Sequence, residues 1–165
     1  MRAPILGAIA ERGVAAGYTV VRFNFRGVGE STGTYGYGID EIADVAAAVA
    51  YAESLDQPVE GICGWSFGAA TALRWQAVAD SKLRYVGIAP PVDSPLTPGL
   101  PEPTELEAAT RGFLVGERDQ FVDVAALRAY AKSIDASLTV YPSSDHFFVF
   151  RHERLAEDVL TIIDS

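Results

Sequence analysis

The sequence contains very little cysteine: Cys63 is the only one among 165 residues. One cysteine cannot form a disulfide within the chain, and it cannot supply the several thiolates of a cysteine-built metal site. Long apolar runs are also missing, since none approaches the ~20 residues of a membrane-spanning helix. The first residues lack the apolar stretch and small-residue cleavage site of a signal peptide. We therefore expect a cytoplasmic protein that does not enter a membrane.

Basic residues are scarce as well. The chain has 13 Lys and Arg against 22 Asp and Glu, a formal net charge of -9. Because nucleic-acid binding needs a basic surface to neutralise phosphates, this charge argues against nucleic acid as a partner, and we expect none. The remaining composition, 49% hydrophobic and 21% charged, is that of an ordinary globular chain. Its length predicts one domain over residues 1–165.

Helical and strand-like patterns alternate along the chain. Strands that alternate with helices of this length indicate a parallel sheet covered on both faces. We therefore predict an α/β fold with three α/β/α layers and a mostly parallel sheet of about five strands. Six of the nine prolines lie between Pro90 and Pro103, so that segment is predicted to be irregular. The predicted strands are 18–25, 59–65, 83–90, 112–116 and 137–142, and the predicted helices cover about 5–14, 39–55, 67–79, 124–131 and 148–162.

The segment GICGWSFGAA places Ser66 between Gly64 and Gly68. A G-x-S-x-G match is weak by itself, but here a predicted strand ends at Trp65 and a predicted helix begins at Phe67. That is the strand–turn–helix context of a nucleophilic serine, where strand and helix approach too closely for Cβ atoms. We predict that Ser66 is a nucleophile and that the backbone N–H of Phe67 is one oxyanion donor.

A serine hydroxyl needs a neighbouring base to be nucleophilic at neutral pH. The chain offers two histidines. His146, in SSDHFF, follows a predicted strand, where its ring can face the carboxyl edge of the sheet. His152 falls inside a helical pattern and is predicted to lie on the surface. We therefore predict His146 as the base.

An acid should orient the base and stabilise its cation. Asp119, in VGERDQFV, follows a predicted strand and lies between the serine and the histidine in the chain. Asp93 is the second candidate and Glu117 the third. Because Ser66, Asp119 and His146 each follow a different parallel strand, they should converge on one edge of the sheet.

With these motifs the chain resembles the α/β-hydrolase superfamily, and more narrowly the small, lidless bacterial hydrolases of the dienelactone-hydrolase type. GWSFGA is similar to the family's nucleophile turn, LVGERDQFV to its acid loop and SSDHFF to its histidine loop. VVRFNFRGVGESTG is similar to the strand and turn that precede them, with Asn24 where many members carry aspartate. The resemblance implies that Ser66, Asp119 and His146 hydrolyse a carboxylic ester or thioester through an acyl-Ser66 intermediate. It also implies a small-molecule acyl substrate and no metal or organic cofactor.

The sequence differs from this family at its N-terminal end. Members have strands before the first helix, and the loop after their third strand gives the second oxyanion donor; this sequence begins at what resembles that helix. We therefore expect the second donor to be missing or supplied by backbone near Arg2–Ala3, and turnover to be low as a result. We also expect an exposed sheet edge through which the chain can associate.

Two further interpretations remain open. A non-catalytic hydrolase-like protein, acting as a binding or interaction module, is the alternative to an enzyme. If the chain is an enzyme, Trp65, Tyr35 and Tyr37 are predicted to line the substrate groove, although aromatic loop residues also serve simple packing.

The glycine-rich stretch RGVGESTGTYG is not a dinucleotide site, because its spacing differs from G-x-G-x-x-G and a loop precedes the helix.

Overall fold

The computed structural model describes residues 3–95, 97 and 99–165, in which helices and strands follow one another in the predicted order. Each strand but one of those predicted is found within a few residues of its expected position. The helices are Pro4–Ala15 (α1), Glu41–Glu53 (α2), Phe67–Val78 (α3), Val124–Ser133 (α4) and His152–Ile163 (α5), and the strands are Gly61–Trp65 (β1), Arg84–Ile88 (β2), Arg111–Gly116 (β3) and Ser137–Tyr141 (β4).

The four strands form one parallel sheet in the order β1-β2-β3-β4. Helices α1 and α5 contact each other, and α5 packs on β2 and β3; α3 packs on β1 and β2, and α4 on β3 and β4, from the opposite face. A strand covered on both faces is mostly apolar, and all six residues of β3 are buried, with Arg111 as its one charged residue. The α/β fold with its three layers is therefore confirmed, with four strands rather than about five.

The predicted strand at 18–25 is wrong. The segment has no ladder partner, and β1 pairs only with β2. β-branched and aromatic residues favour an extended backbone, but a strand also requires a neighbour with which to exchange hydrogen bonds. No such neighbour reaches residues 18–25 in the described part of the chain, so they do not join the sheet.

A local sequence signal explains the start of α4. The Asp123 carboxylate accepts hydrogen bonds from the N–H groups of Ala125 and Ala126 and so caps the N-terminus of this helix. The closing helix begins later than predicted, at His152, because Phe148 lies in a turn with φ 50° and is fully buried in the core. The proline-rich segment contains only the short 3-10 turn Pro103–Glu105 among its described residues.

None of the helices in the described ranges has both the length and the apolar character needed to cross a bilayer.

Candidate active site

Ser66 lies between β1 and α3 in a strained turn. Its φ is 53° and its ψ is -122°, a conformation that costs a residue with a Cβ about 1–3 kcal/mol. The Ser66 N–H donates to the Ile88 carbonyl at 2.7 Å, which extends the pairing of β1 with β2 to the turn itself. A Cβ on Gly64 would lie 2.5 Å from the Gly68 carbonyl oxygen, so the strand and the helix meet where only glycine fits. The turn therefore projects Ser66 at the carboxyl edge of the sheet.

His146 reaches this serine from the loop after β4. Its Nε2 lies 2.9 Å from Ser66 Oγ, and its ring is almost completely buried. Trp65 also contacts this loop. Its indole N–H donates to the His146 carbonyl at 3.2 Å, and the rings of Trp65 and His146 are tilted with centroids 5.5 Å apart. Trp65, predicted as a substrate residue, is thus a direct neighbour of His146.

Asp119 contacts the other nitrogen of the same ring. Its Oδ2 lies 2.8 Å from His146 Nδ1, and its side chain has no exposure to solvent. Asp119 Oδ1 accepts the N–H groups of Phe121 and Val122 at 2.8 and 3.0 Å. These two bonds fix the carboxylate, so that one oxygen is satisfied by backbone and the other faces the imidazole.

The two loops meet because Gly116, at the end of β3, allows close contact. A Cβ there would lie 2.4 Å from the Ser144 carbonyl oxygen and 2.6 Å from that of Asp145. The Arg118 N–H also donates to the Ser144 carbonyl, at 2.8 Å. The acid loop and the histidine loop are therefore held together by backbone contacts.

The other candidate acids and the second histidine lie away from the Ser66–His146 pair. Glu117 accepts the Ser143 N–H at 2.8 Å, and Asp93 is exposed. His152 Nε2 lies 2.9 Å from the Phe147 carbonyl oxygen, to which it donates. Within the described residues, none of these three side chains bonds to His146 or Ser66.

The N–H of Phe67, the first residue of α3, has no hydrogen-bond acceptor among the described residues. It is available to an anion, and the helix N-terminus favours negative charge there. The predicted substitute donor near Arg2–Ala3 falls in part on Arg2, which lies outside the described residues. That prediction stays a prediction.

Exposed aromatic rings lie near two neighbours of Ser66, namely Phe67 and His146. Tyr35 lies with its ring centroid 4.9 Å from that of Tyr37 and 5.8 Å from that of Phe67, and both tyrosines are exposed. On the histidine side, Phe121 and Phe147 have centroids 5.0 and 5.5 Å from that of His146, and both are exposed.

Sequence reasoning missed these two phenylalanines. The available signal was their position, because Phe121 follows Asp119 by two residues and Phe147 follows His146 directly.

Glu41 was also missed, although it shapes the tyrosine side of the site. Its side chain is 1% exposed, and its two carboxylate oxygens accept the N–H groups of Gly36 and Gly38 at 2.8 and 2.9 Å. These bonds flank Tyr37 and fix the loop ahead of α2. The only signal in the sequence was an acidic residue at a helix start, which usually indicates a solvated first turn.

The same glycine-rich loop is fixed at its other end by an ion pair. Arg26 forms a bidentate contact with Asp44 of α2, with nitrogen–oxygen distances of 2.8 and 3.1 Å. The guanidinium lowers the pKa of the Asp44 carboxyl from its ordinary value. Both ends of the loop that carries Tyr35 and Tyr37 are therefore attached to α2.

Comparisons with known proteins identify the family and the fold of the chain. A sequence model of a family described as the alpha/beta hydrolase family matches residues 6–111. An uncharacterised protein of Rickettsia prowazekii (strain Madrid E) is 30% identical in an alignment 161 residues long, and the match covers 90% of this chain and 67% of that protein.

Two solved structures are similar in fold and sequence. An alpha-beta serine hydrolase homologue from Coxiella burnetii has a TM-score of 0.83 and 26% identity, covering 98% of this chain and 76% of its own. A serine hydrolase without a lid from Xanthomonas campestris has a TM-score of 0.81 and 26% identity, covering 99% of this chain and 74% of its own.

Proposed function

The chain belongs to the alpha/beta hydrolase family, and from this premise we propose that it is a serine hydrolase that cleaves a carboxylic ester or thioester through an acyl-Ser66 intermediate. The observation that carries the proposal is the line of hydrogen bonds from Asp119 Oδ2 to His146 Nδ1, at 2.8 Å, and from His146 Nε2 to Ser66 Oγ, at 2.9 Å. A base within hydrogen-bond reach of a hydroxyl, itself oriented by a carboxylate, is the arrangement that nucleophilic catalysis requires.

The steps follow from this order of contacts. His146 Nε2 removes the Ser66 proton as Oγ bonds to the acyl carbon, and the carbonyl electrons move to the oxygen, which faces the Phe67 N–H. The imidazolium then gives its proton to the leaving alkoxide or thiolate as that bond breaks. Water then bonds to the acyl carbon as the same nitrogen takes its proton. The acyl carbon–Oγ bond breaks, the imidazolium returns this proton to Ser66 Oγ, and the carboxylic acid is released. Asp119 keeps the ring in the required tautomer and stabilises its charged form.

The surrounding rings favour an apolar substrate. Exposed aromatic residues on both sides of a polar centre offer apolar contact to the acyl and alcohol parts of a small ester. We assign Tyr35 and Tyr37 to one side, and Phe121 and Phe147 to the other. The proposed partner is thus a small acyl compound rather than nucleic acid, and a cytoplasmic location is part of the same proposal.

Low turnover is a further part of the proposal. One oxyanion donor, the Phe67 N–H, is assigned among the described residues. Losing one of two such donors typically costs ~10²–10³ in kcat. We therefore expect ester hydrolysis with a correctly ordered Ser66 and a slow chemical step.

The test compares the purified chain with Ser66→Ala on p-nitrophenyl acetate and butyrate, together with labelling by a fluorophosphonate. The matched control is Ser54→Ala, an exposed serine at the end of α2. We expect labelling and turnover in the parent and in Ser54→Ala, and neither in Ser66→Ala. Ser66→Ala turnover within tenfold of the parent would exclude Ser66 as nucleophile. A parent that neither labels nor turns over would support the non-catalytic binding module instead.

A further inference from the structure

In the described part of the chain, the strands that precede Ser66 and His146 lie at opposite edges of the sheet. Ser66 follows β1 and His146 follows β4, and the order β1-β2-β3-β4 places two strands between them. With ~4.8 Å between neighbouring strands, the ends of β1 and β4 are ~14 Å apart. His146 Nε2 nevertheless lies 2.9 Å from Ser66 Oγ. The loop after β4 must therefore extend back across the sheet, and something must hold it there.

The backbone of His146 has few contacts that could hold the loop in this position. Its N–H donates to Gln120 Oε1 over 3.4 Å, which is long for such a bond. Among the described residues, no backbone N–H donates to its carbonyl. The carbonyl instead accepts the indole N–H of Trp65, at 3.2 Å. This bond joins the main chain of His146 to the residue that directly precedes Ser66.

The Trp65 side chain extends from the end of β1 towards the histidine loop. Trp65 is the last residue of β1 and pairs with Ile88 of β2, so its backbone is fixed by the sheet. Its ring centroid lies 5.5 Å from that of His146 and 6.0 Å from that of Phe147, and the residue is half-buried. A packed tryptophan usually finds a partner for its N–H. Here that partner is the His146 carbonyl, so the large ring and its donor both act on the same loop.

We propose that Trp65 is a positioning residue of the hydrolase, whose indole N–H holds the His146 carbonyl and thereby keeps Nε2 within reach of Ser66 Oγ. The inference rests on the proposed function, in which His146 removes the Ser66 proton. This role differs from the predicted one, in which Trp65 lines the substrate groove and would mainly affect substrate binding. Since a displacement of about 1 Å at a reacting group can cost ~10² in rate, loss of the bond should slow acyl transfer and leave substrate binding unchanged.

The test replaces the indole N–H of Trp65 by sulfur. The chain has two tryptophans, so Trp75→Phe leaves Trp65 as the one tryptophan. Expression with 3-benzothienylalanine in place of tryptophan then exchanges N–H for S at this position alone, in a ring of nearly the same shape that cannot donate. The matched control is the Trp75→Phe chain with ordinary tryptophan, because Trp75 lies in α3 and packs in a separate buried cluster with Val45 and Val49. Turnover of p-nitrophenyl butyrate is measured, together with the rate and the end point of fluorophosphonate labelling.

We expect kcat and the labelling rate of the benzothienyl chain to be ~10- to 100-fold below the control, with KM within about twofold. Labelling should reach the same end point, and the melting temperature should stay within about 4 °C of the control, as for the loss of one hydrogen bond. A purely structural role of Trp65 would instead lower the labelled fraction or the melting temperature, while the molecules that label did so at the control rate. That result would overturn the proposal.

Two further results would also overturn it. A higher KM with unchanged kcat would identify Trp65 as a substrate contact, and unchanged kcat and KM would show that the reaction does not need the bond. If the benzothienyl chain does not fold, Trp65→Phe in the otherwise unchanged chain is judged by the same measurements and the same outcomes. A parent chain that neither labels nor turns over would contradict the proposed function and this inference with it. A parent, a control and a benzothienyl chain that all label equally fast would contradict the inference alone.

Discussion

Adding one methyl group at Gly64 is expected to disrupt the turn that presents Ser66. The new Cβ would lie 2.5 Å from the Gly68 carbonyl oxygen and 2.6 Å from the Ala69 nitrogen. Both are backbone atoms, so no side-chain rotation relieves the contact. The matched control is Gly68→Ala in the same motif, whose Cβ would meet only a Phe25 ring carbon at 3.6 Å, an ordinary van der Waals contact.

The two substitutions should have opposite effects on stability. Restoring normal contact at Gly64 requires β1 and α3 to separate by about 1 Å, and overpacking of this kind costs ~1–3 kcal/mol. For a chain of this length that corresponds to a melting temperature lower by about 2–12 °C. Gly68→Ala removes a glycine from a helix, which stabilises by up to ~1 kcal/mol. It should therefore raise the melting temperature slightly.

Circular dichroism melting and fluorophosphonate labelling measure both consequences of Gly64→Ala. A displacement of about 1 Å at the reacting group can cost ~10² in rate, so labelling of Ser66 should slow by about that factor even at temperatures where the variant is folded. Equal melting temperatures for the two variants, or a Gly64→Ala protein that labels at the parental rate, would refute the close contact as the reason for glycine here.

The remaining predictions concern three carboxylates. Asp119→Asn should lower kcat for p-nitrophenyl esters by up to ~10⁴ through loss of the correct tautomer, with Asp93→Asn near the parent; a larger loss from Asp93→Asn would reverse the assignment. Glu41→Gln removes one of two buried acceptors and should cost about 1–3 kcal/mol, raising KM more than it lowers kcat. Unchanged KM and melting temperature would contradict this role of Glu41. Asp44→Asn should cost ~1 kcal/mol in urea unfolding at pH 7. Because Arg26 lowers the native pKa of Asp44, its contribution is present above the ordinary value and is lost as pH falls through the lowered one. A cost that is the same at pH 7 and pH 3 would argue against the ion pair.

Much of the candidate site was predictable because its residues are marked by local signals. Ser66 is preceded by an apolar run and flanked by glycines, and Asp119 and His146 each follow a strand pattern. In a parallel sheet, the ends of successive strands lie along one edge, so residues that follow strands are brought together by the topology. Their hydrogen bonds at 2.8 and 2.9 Å are consistent with that reasoning.

Other contacts had no local signal because they join segments distant in sequence. Residues 18–25 have the composition of a strand, but whether they join a ladder depends on a neighbour that composition does not specify. In the sequence, Glu41 is an acidic residue in the first turn of a predicted helix, which indicates no particular partner. Only the path of the preceding loop brings Gly36 and Gly38 to its carboxylate. The use of Trp65 to support His146 likewise depends on the position of the β4 loop.

The sequence by itself determined the alternation of helices and strands, the parallel sheet, and the order of serine, acid and base, because these follow from periodicity and short motifs. Only the tertiary structure decided which carboxylate faces the imidazole, that β1 lies at the edge of the sheet in the described part of the chain, and which aromatic rings lie near Phe67 and His146. The physical reason is that backbone propensity acts over a few residues, whereas pairing and burial depend on partners that lie far apart along the chain.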